Sequence, residues 1–202
     1  MESIFFNDSI TMPPILLIDN YDSFTYNLFH YLEELWEEGV EVIRNDALTI
    51  EQVKKFEQIV ISPGPGLPKD SGDLIPVLKI LPKEIKVLGV CLGLQAIAEV
   101  FGLRLKNLKQ VVHGQSTAIK VIARETPLFR GLPANFKVGR YHSWVVDEKS
   151  NIDNKLKVTA VDEAGNIMAI AHPTLPIHAV QFHPESVLCE FGKEILRNWL
   201  KY

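Results

Sequence analysis

The chain is poor in the features that mark specialised classes of protein. It has two cysteines in 202 residues, Cys91 and Cys189. They are too few and too far apart for the disulfide framework of a small secreted domain, and no CxxC pair exists. The six histidines show no HExxH or comparable ligand spacing, so no metal and no cofactor is expected. No apolar run approaches the roughly 18 residues that suggest a membrane span. The opening stretch, Met1-Glu2-Ser3-Ile4-Phe5-Phe6-Asn7-Asp8, lacks the basic and apolar regions of a signal peptide. Charge of one sign is lacking too. With 21 basic and 25 acidic residues the net charge is −4, which gives no electrostatic reason to bind nucleic acid or an anionic membrane. These absences point to a cytoplasmic protein.

What is present reads as an ordinary globular domain, with 47% hydrophobic and 23% charged residues. That is enough apolar surface to offset the entropy of ordering. Residues 1–14 are expected to form an N-terminal extension and 15–202 a single domain. The run 15–18 is apolar throughout, as in a strand buried on both faces. A helix follows, with Asp22 or Ser23 as N-cap, apolar Phe24, Leu28, Tyr31, Leu32 and Leu35 at three-to-four spacing, and Gly39 as its stop. Glu33, Glu34, Glu37 and Glu38 line its solvated side. Strands are expected at 40–43, 59–61 and 87–90. Thr49 and Gln52 resemble a capping box, and a helix over about 94–101 ends at Gly102. This half predicts an α/β fold: a doubly wound, mostly parallel, flavodoxin-like sheet flanked by helices. From 103 to 180 short alternating segments take over, at Val111-Val112, 118–122, 157–161, 167–171 and 177–180. With the turn signal Glu163-Ala164-Gly165-Asn166 they predict a smaller antiparallel portion. An amphipathic helix carrying Phe191, Ile195, Leu196 and Trp199 closes the chain.

Three segments carry chemistry. Gly89-Val90-Cys91-Leu92-Gly93 lies where a buried strand meets a helix. Flanking glycines permit a tight turn that lifts the middle side chain clear of the sheet, as in the GxSxG elbow. A helix N-terminus favours the thiolate of Cys91, and the Leu92 N–H is placed to hold an oxyanion. A buried packing cysteine is the competing reading. In Gln181-Phe182-His183-Pro184-Glu185, residues two apart share a face, so Glu185 can orient His183 as in a Cys-His-acid triad. The third segment is Ser62-Pro63-Gly64-Pro65-Gly66, at a strand end where open α/β sheets place ligands. Its glycines allow close backbone approach, and the Gly66 N–H is a candidate second oxyanion donor. A phosphate loop is disfavoured, because neither GxGxxG nor GxxxxGK[ST] is present.

These residues stand in the order found in class I (triad) glutamine amidotransferases, which the chain resembles. The resemblance rests on the block Ile18-Asp19-Asn20-Tyr21-Asp22-Ser23-Phe24-Thr25-Tyr26-Asn27-Leu28, Pro63 to Gly66, Gly89 to Gly93, His113-Gly114, Tyr141-His142-Ser143 and Phe182-His183-Pro184-Glu185. It covers about Ile15 to the C-terminus. The opening block resembles, more narrowly, the glutaminase subunit of anthranilate synthase and aminodeoxychorismate synthase (component II). The resemblance implies that Cys91 attacks the side-chain amide of glutamine, that His183 moves the proton, and that Glu185 orients His183. It implies glutamine contacts at Gly64, Pro65, Gly66, Gln95, Ser143 and Trp144. It also implies a chorismate-binding component I as protein partner and acceptor of channelled ammonia, with anthranilate or 4-amino-4-deoxychorismate as product. Two positions depart from the pattern. Gln115 replaces a common Lys near the expected partner interface, and Trp144 replaces a more usual Leu. Competing readings are another amidotransferase or γ-glutamyl hydrolase on this fold, and a non-catalytic regulatory module. The intact Cys91, His183 and Glu185 argue against the last.

Overall fold

A computed structural model of the protein describes residues 12–108 and 113–202. Most of the expected N-terminal extension, and the Val111-Val112 segment, lie outside the described residues. In chain order the elements are β1 (Ile15–Asp19), α1 (Thr25–Leu35), β2 (Val40–Arg44), α2 (Ile50–Val53), β3 (Gln58–Ile61), α3 (Leu74–Lys79), β4 (Lys86–Val90), α4 (Leu92–Val100), β5 (Leu105–Asn107), β6 (Gln115–Val121), β7 (Asn135–Arg140), β8 (Trp144–Val146), β9 (Lys157–Asp162), β10 (Ile167–Ala171), β11 (Ile177–Val180) and α5 (Gly192–Leu200).

Among the described residues, nine strands form one mixed sheet in the order β2-β1-β3-β4-β11-β10-β9-β6-β7. The first five run parallel, and the remaining neighbours pair antiparallel. The antiparallel portion is therefore a continuation of the parallel sheet. Strands β5 and β8 make a small separate pair. Alternation along β1 shows why its run is apolar throughout. Ile15 and Leu17 join a cluster with Leu28 and Leu32 of α1 and Ile195, Leu196 and Trp199 of α5. Leu16 and Ile18 join one on the opposite face, with Leu74 of α3 and Leu94 and Ala98 of α4. Both faces are covered, so each residue of β1 is buried whichever way it points.

Local details depart from the sequence reading. Neither Asp22 nor Ser23 is the N-cap of α1. Phe24 holds that position without a side-chain bond, while the Asp22 carboxylate accepts from the Phe24 N–H at 2.8 Å in the turn before it. Helix α4 starts at Leu92 rather than Leu94. The Thr49–Gln52 capping box is formed in both directions, at 2.9 and 3.2 Å. The Asp162 carboxylate accepts from the Ala164 and Asn166 N–H groups and so closes the turn at 163–166. Strand β7 and helix α3 were not anticipated. Gly139 weakens the strand pattern of β7, and Pro76 the helical pattern of α3. Gly139 has a steric purpose. A Cβ there would sit 2.8 Å from Ser186 Oγ, and its carbonyl accepts from the His183 N–H at 3.0 Å. The bare backbone lets the segment bearing His183 lie against β7.

Candidate active site

Cys91 is the single residue between β4 and α4. Its backbone has φ 52° and ψ −99°, outside the favoured regions for a residue with a side chain. Such a conformation costs about 1–3 kcal/mol and persists only where its surroundings impose it. The imposing contacts are the Cys91 N–H to the Val180 carbonyl at 2.8 Å and the Gln95 N–H to the Cys91 carbonyl at 3.2 Å. The turn is tight and strained, and the flanking glycines permit it in a specific way. The strain falls on Cys91 itself, and the glycines are needed for closeness. A Cβ on Gly89 would lie 2.6 Å from the Gly93 backbone, and one on Gly93 would lie 2.8 Å from the Ile61 carbonyl oxygen. Helix α4 thus rests directly on β3 and β4. Leu92 is its first residue, so the Leu92 N–H has no acceptor within the helix and faces outward at the positive end of the dipole.

His183 and Glu185 meet as the alternation of an extended chain requires. The imidazole Nδ1 lies 2.7 Å from Glu185 Oε1, and both side chains are almost fully buried. Among the described residues the second ring nitrogen, Nε2, has no hydrogen-bond partner. Burial works against the imidazolium, but Cys91 and Glu185 favour it more strongly and raise its pKa well above the ordinary value. The ring is wedged by aromatics. Phe24 lies 5.4 Å from it and Tyr141 4.8 Å, centroid to centroid, and these two pack on each other at 4.9 Å. Phe24 gives the opening block a physical task, since it fixes the position of His183. The Tyr141 hydroxyl is 3.0 Å from Ser186 Oγ, and His113 stands edge-on to Tyr141.

The same block braces the Pro-Gly loop. The Asn20 N–H donates to Ser62 Oγ at 2.9 Å, and its side-chain amide donates to the Ser62 carbonyl at 2.9 Å. Asn45 in turn donates to the Asn20 side chain. A Cβ on Gly64 would lie 2.6 Å from both Asn20 Cβ and Leu92 Cδ2, so the loop packs between the first strand's end and the elbow. Gly66 has φ +72° in open space. Glycine is favoured there by conformation rather than crowding.

These elements enclose a cavity of about 120 Å³ lined by Gly64, Pro65, Gly66, Cys91, Gln95, Tyr141, His142, Ser143 and Trp144. The six expected glutamine contacts line it. Leu92 does not; its side chain packs beneath Gly64. Gln95 is buried, and its amide donates to the Trp144 carbonyl at 3.0 Å. His142 is part of the Tyr141-His142-Ser143 motif, but the sequence assigns it no role. Its Nε2 accepts from Arg140 Nε at 3.1 Å, which leaves Nδ1 as the protonated nitrogen, donating to the Trp144 carbonyl at 3.1 Å. Burial, then the Arg140 charge, lowers the His142 pKa to about 3, so the ring is neutral. Arg140 is held by Asp162 at 2.9 Å, both nearly fully buried. The signal for Arg140 and Asp162 was faint, since charges in alternating strands are usually solvated. Gln115 is exposed and pairs with Arg140 across β6 and β7. Larger cavities, of about 300 and 640 Å³, lie toward the opposite ends of β3, β4 and β11. The small one lies at the carboxyl ends, where such sheets bind ligands. Among the described residues no group of three or more His, Cys, Asp or Glu side chains is placed to hold a metal. No helix among them is long and apolar enough to cross a membrane.

A thiol at a strained elbow, an imidazole braced by a carboxylate and a small enclosed cavity suit acyl transfer through a thioester. Comparison with known proteins narrows that class. The family model for class-I glutamine amidotransferases matches residues 16–202. Aminodeoxychorismate/anthranilate synthase component 2 of Bacillus subtilis is 44% identical, covering 93% of this chain and 95% of its own length. A putative anthranilate synthase component II of Haemophilus influenzae is 41% identical, covering 92% and 95%. Among solved structures, a putative GMP synthase subunit from Thermoplasma acidophilum superposes with TM-score 0.83 at 26% identity, over 94% of this chain and 93% of that one. A glutamine amidotransferase of Thermotoga maritima, at TM-score 0.71 and 18% identity, shares the fold. The chain belongs to the class-I glutamine amidotransferases.

Proposed function

We propose that the chain is the glutaminase subunit of a chorismate-aminating synthase, with residues 15–202 as one amidotransferase domain. It hydrolyses glutamine to glutamate and delivers the ammonia to a chorismate-binding component I. The observation that carries the reading is Cys91 at a strained elbow beside a cavity of amino-acid scale, with the His183–Glu185 pair on the segment that follows the neighbouring strand. Support for the narrower assignment comes from relatives whose names are component II of anthranilate or aminodeoxychorismate synthase.

The steps follow from the groups present. The Cys91 thiolate adds to the side-chain amide carbon of glutamine, and the carbonyl oxygen becomes an oxyanion. The Leu92 and Gly66 N–H groups are the proposed donors to it. The protonated His183 gives its Nε2 proton to the amide nitrogen, the C–N bond breaks, and ammonia leaves a γ-glutamyl thioester. Water then adds to the thioester with His183 as base. The C–S bond breaks and glutamate departs. Gly64, Pro65, Gly66, Gln95, Ser143 and Trp144 hold the substrate. Glu185 keeps the imidazole oriented and supports its positive charge.

The test is reconstitution of the full chain with component I of each synthase. Cys91→Ser is expected to abolish glutamine-dependent product while leaving ammonia-dependent product intact. Glutamine-dependent synthesis by that variant would overturn the assignment. Identifying the product with each partner decides between anthranilate and 4-amino-4-deoxychorismate.

A further inference from the structure

One polar side chain beside the nucleophile has no task in the mechanism above. Gln181 is completely buried. It lies two residues before His183 and four before Glu185, so the alternation that presents those two toward Cys91 presents Gln181 as well. Phe182, between them, belongs to the core. The Gln181 amide nitrogen lies 3.6 Å from Cys91 Sγ, within reach of an N–H···S hydrogen bond.

The orientation of that amide follows from its neighbours. The Trp144 carbonyl can only accept, so the Gln95 group 3.0 Å from it is the NH₂ end. That same NH₂ group lies 3.3 Å from Gln181 Oε1 and donates to it. The Gln181 oxygen is thereby occupied, and its NH₂ end faces the sulfur. The anchor of the chain, the Trp144 carbonyl, is itself held by the neutral His142, which Arg140 and Asp162 fix in one tautomer. A rotated Gln181 would bring its oxygen toward Sγ and two NH₂ groups together.

We propose that Gln181 is a catalytic residue that donates a hydrogen bond to the Cys91 thiolate, and that Gln95 is its positioning residue in addition to contacting substrate. The proposal rests on Cys91 being the nucleophile. The bond strengthens when sulfur is anionic and weakens in the thioester, a poorer acceptor. It therefore favours the thiolate both as the resting nucleophile and as the group expelled when water attacks.

The experiment is the pH dependence of Cys91 alkylation by iodoacetamide in the full-length chain, read peptide by peptide with Cys189 as internal control. Burial raises the Cys189 thiol to about 12, so it should label late. A hydrogen bond to a charged group corresponds to a shift of about one unit or more. Gln181→Met, which fills the space without a donor, should move the midpoint upward by about one unit. Gln181→Glu should move it further, by placing a carboxylate beside the sulfur. Gln95→Met, which frees the Gln181 amide, should give a smaller upward shift and serves if the Gln181 variants fail to fold. An unmoved midpoint in a folded Gln181 variant, or in Gln95→Met when the others do not fold, overturns the clamp. Labelling of Cys189 ahead of Cys91 in the unaltered chain would instead sink the nucleophile assignment.

Discussion

Gly93→Ala tests whether the elbow depends on direct contact between helix and sheet. The new Cβ would lie 2.8 Å from the Ile61 carbonyl oxygen, 2.9 Å from Ile61 Cβ and 3.1 Å from Ile61 Cγ2. Ordinary contact begins at 3.4 Å, so the start of α4 must lift from β3 by about 0.6 Å in a close-packed core. Overpacking of this kind costs about 1–3 kcal/mol. Alanine recovers at most about 1 kcal/mol of helix propensity, and less at the second position of a helix. The net expectation is a loss of about 1–2 kcal/mol. With a urea slope near ~2 kcal/mol/M, the midpoint should fall by about 0.5–1 M. The effect on turnover should be larger than the effect on folding. Lifting α4 moves Cys91, the Leu92 N–H and Gln95 together, away from a loop and an imidazole fixed by other elements. A misplacement of about 1 Å can cost ~10²-fold in rate, so a loss of about 10-fold or more is expected under conditions where the protein is fully folded. The assay pairs urea unfolding with glutamine hydrolysis in the presence of component I. A midpoint equal to the parent's, with undiminished hydrolysis, would refute the steric argument. A lowered midpoint with full activity would refute the link between that contact and the chemistry.

Two more perturbations follow from buried charge. Asp162→Ala leaves the Arg140 guanidinium buried and unpaired, and should cost about 3–5 kcal/mol in urea unfolding; Arg140→Leu with Asp162→Leu should cost less than Asp162→Ala alone, and the reverse order would show that the pair is not the stabilising unit. Stability should also peak near pH 6.5. Burial lowers His142 to about 3 and His178 to about 4; both stay neutral when folded but bind a proton when unfolded below ~6.5, so stability falls with decreasing pH by up to about 1.4 kcal/mol per group per unit. The raised His183 works in the opposite direction. Its contribution is complete below the unfolded value and is lost as pH rises through the folded one. Urea midpoints measured from about pH 5.5 to 8 check both limbs, and a flat profile would contradict them.

Most of the parallel half was legible in the sequence because its signals are local. Continuous apolar runs, the Thr49–Gln52 box and Gly102 each specify an element within a few residues. The Cys91 elbow and the His183–Glu185 face were legible for the same reason: one needs a strand meeting a helix, the other only the alternation of an extended chain. That alternation also reaches Gln181, which the sequence reading passed over because a lone amide carries no charge or nucleophile to draw notice. Residues whose meaning lies in a distant partner were not legible. Phe24 looks like the first apolar position of a helix, and only its 5.4 Å contact with His183 shows what it positions. Gly139 reads as a flaw in a strand until Ser186 is seen 2.8 Å from its missing side chain.

The continuity of the sheet explains why both halves of the chain reach one small cavity. Cys91 stands at the end of β4, and β4 pairs directly with β11, whose end leads into Gln181, His183 and Glu185. Cys91 and the segment bearing His183 therefore leave neighbouring strands by construction, held by the register Val180 to Val90. The antiparallel strands then carry the sheet outward from β11, and the end of β7 leads Tyr141 to Trp144 back to the rim of the same cavity. The His183–Gly139 contact closes that circuit. A separately folded antiparallel unit could rotate relative to the parallel one and would move Trp144, and with it Gln95, away from Cys91. One continuous sheet removes that freedom, so the amide chain from His142 to the sulfur can be set by the fold before substrate arrives.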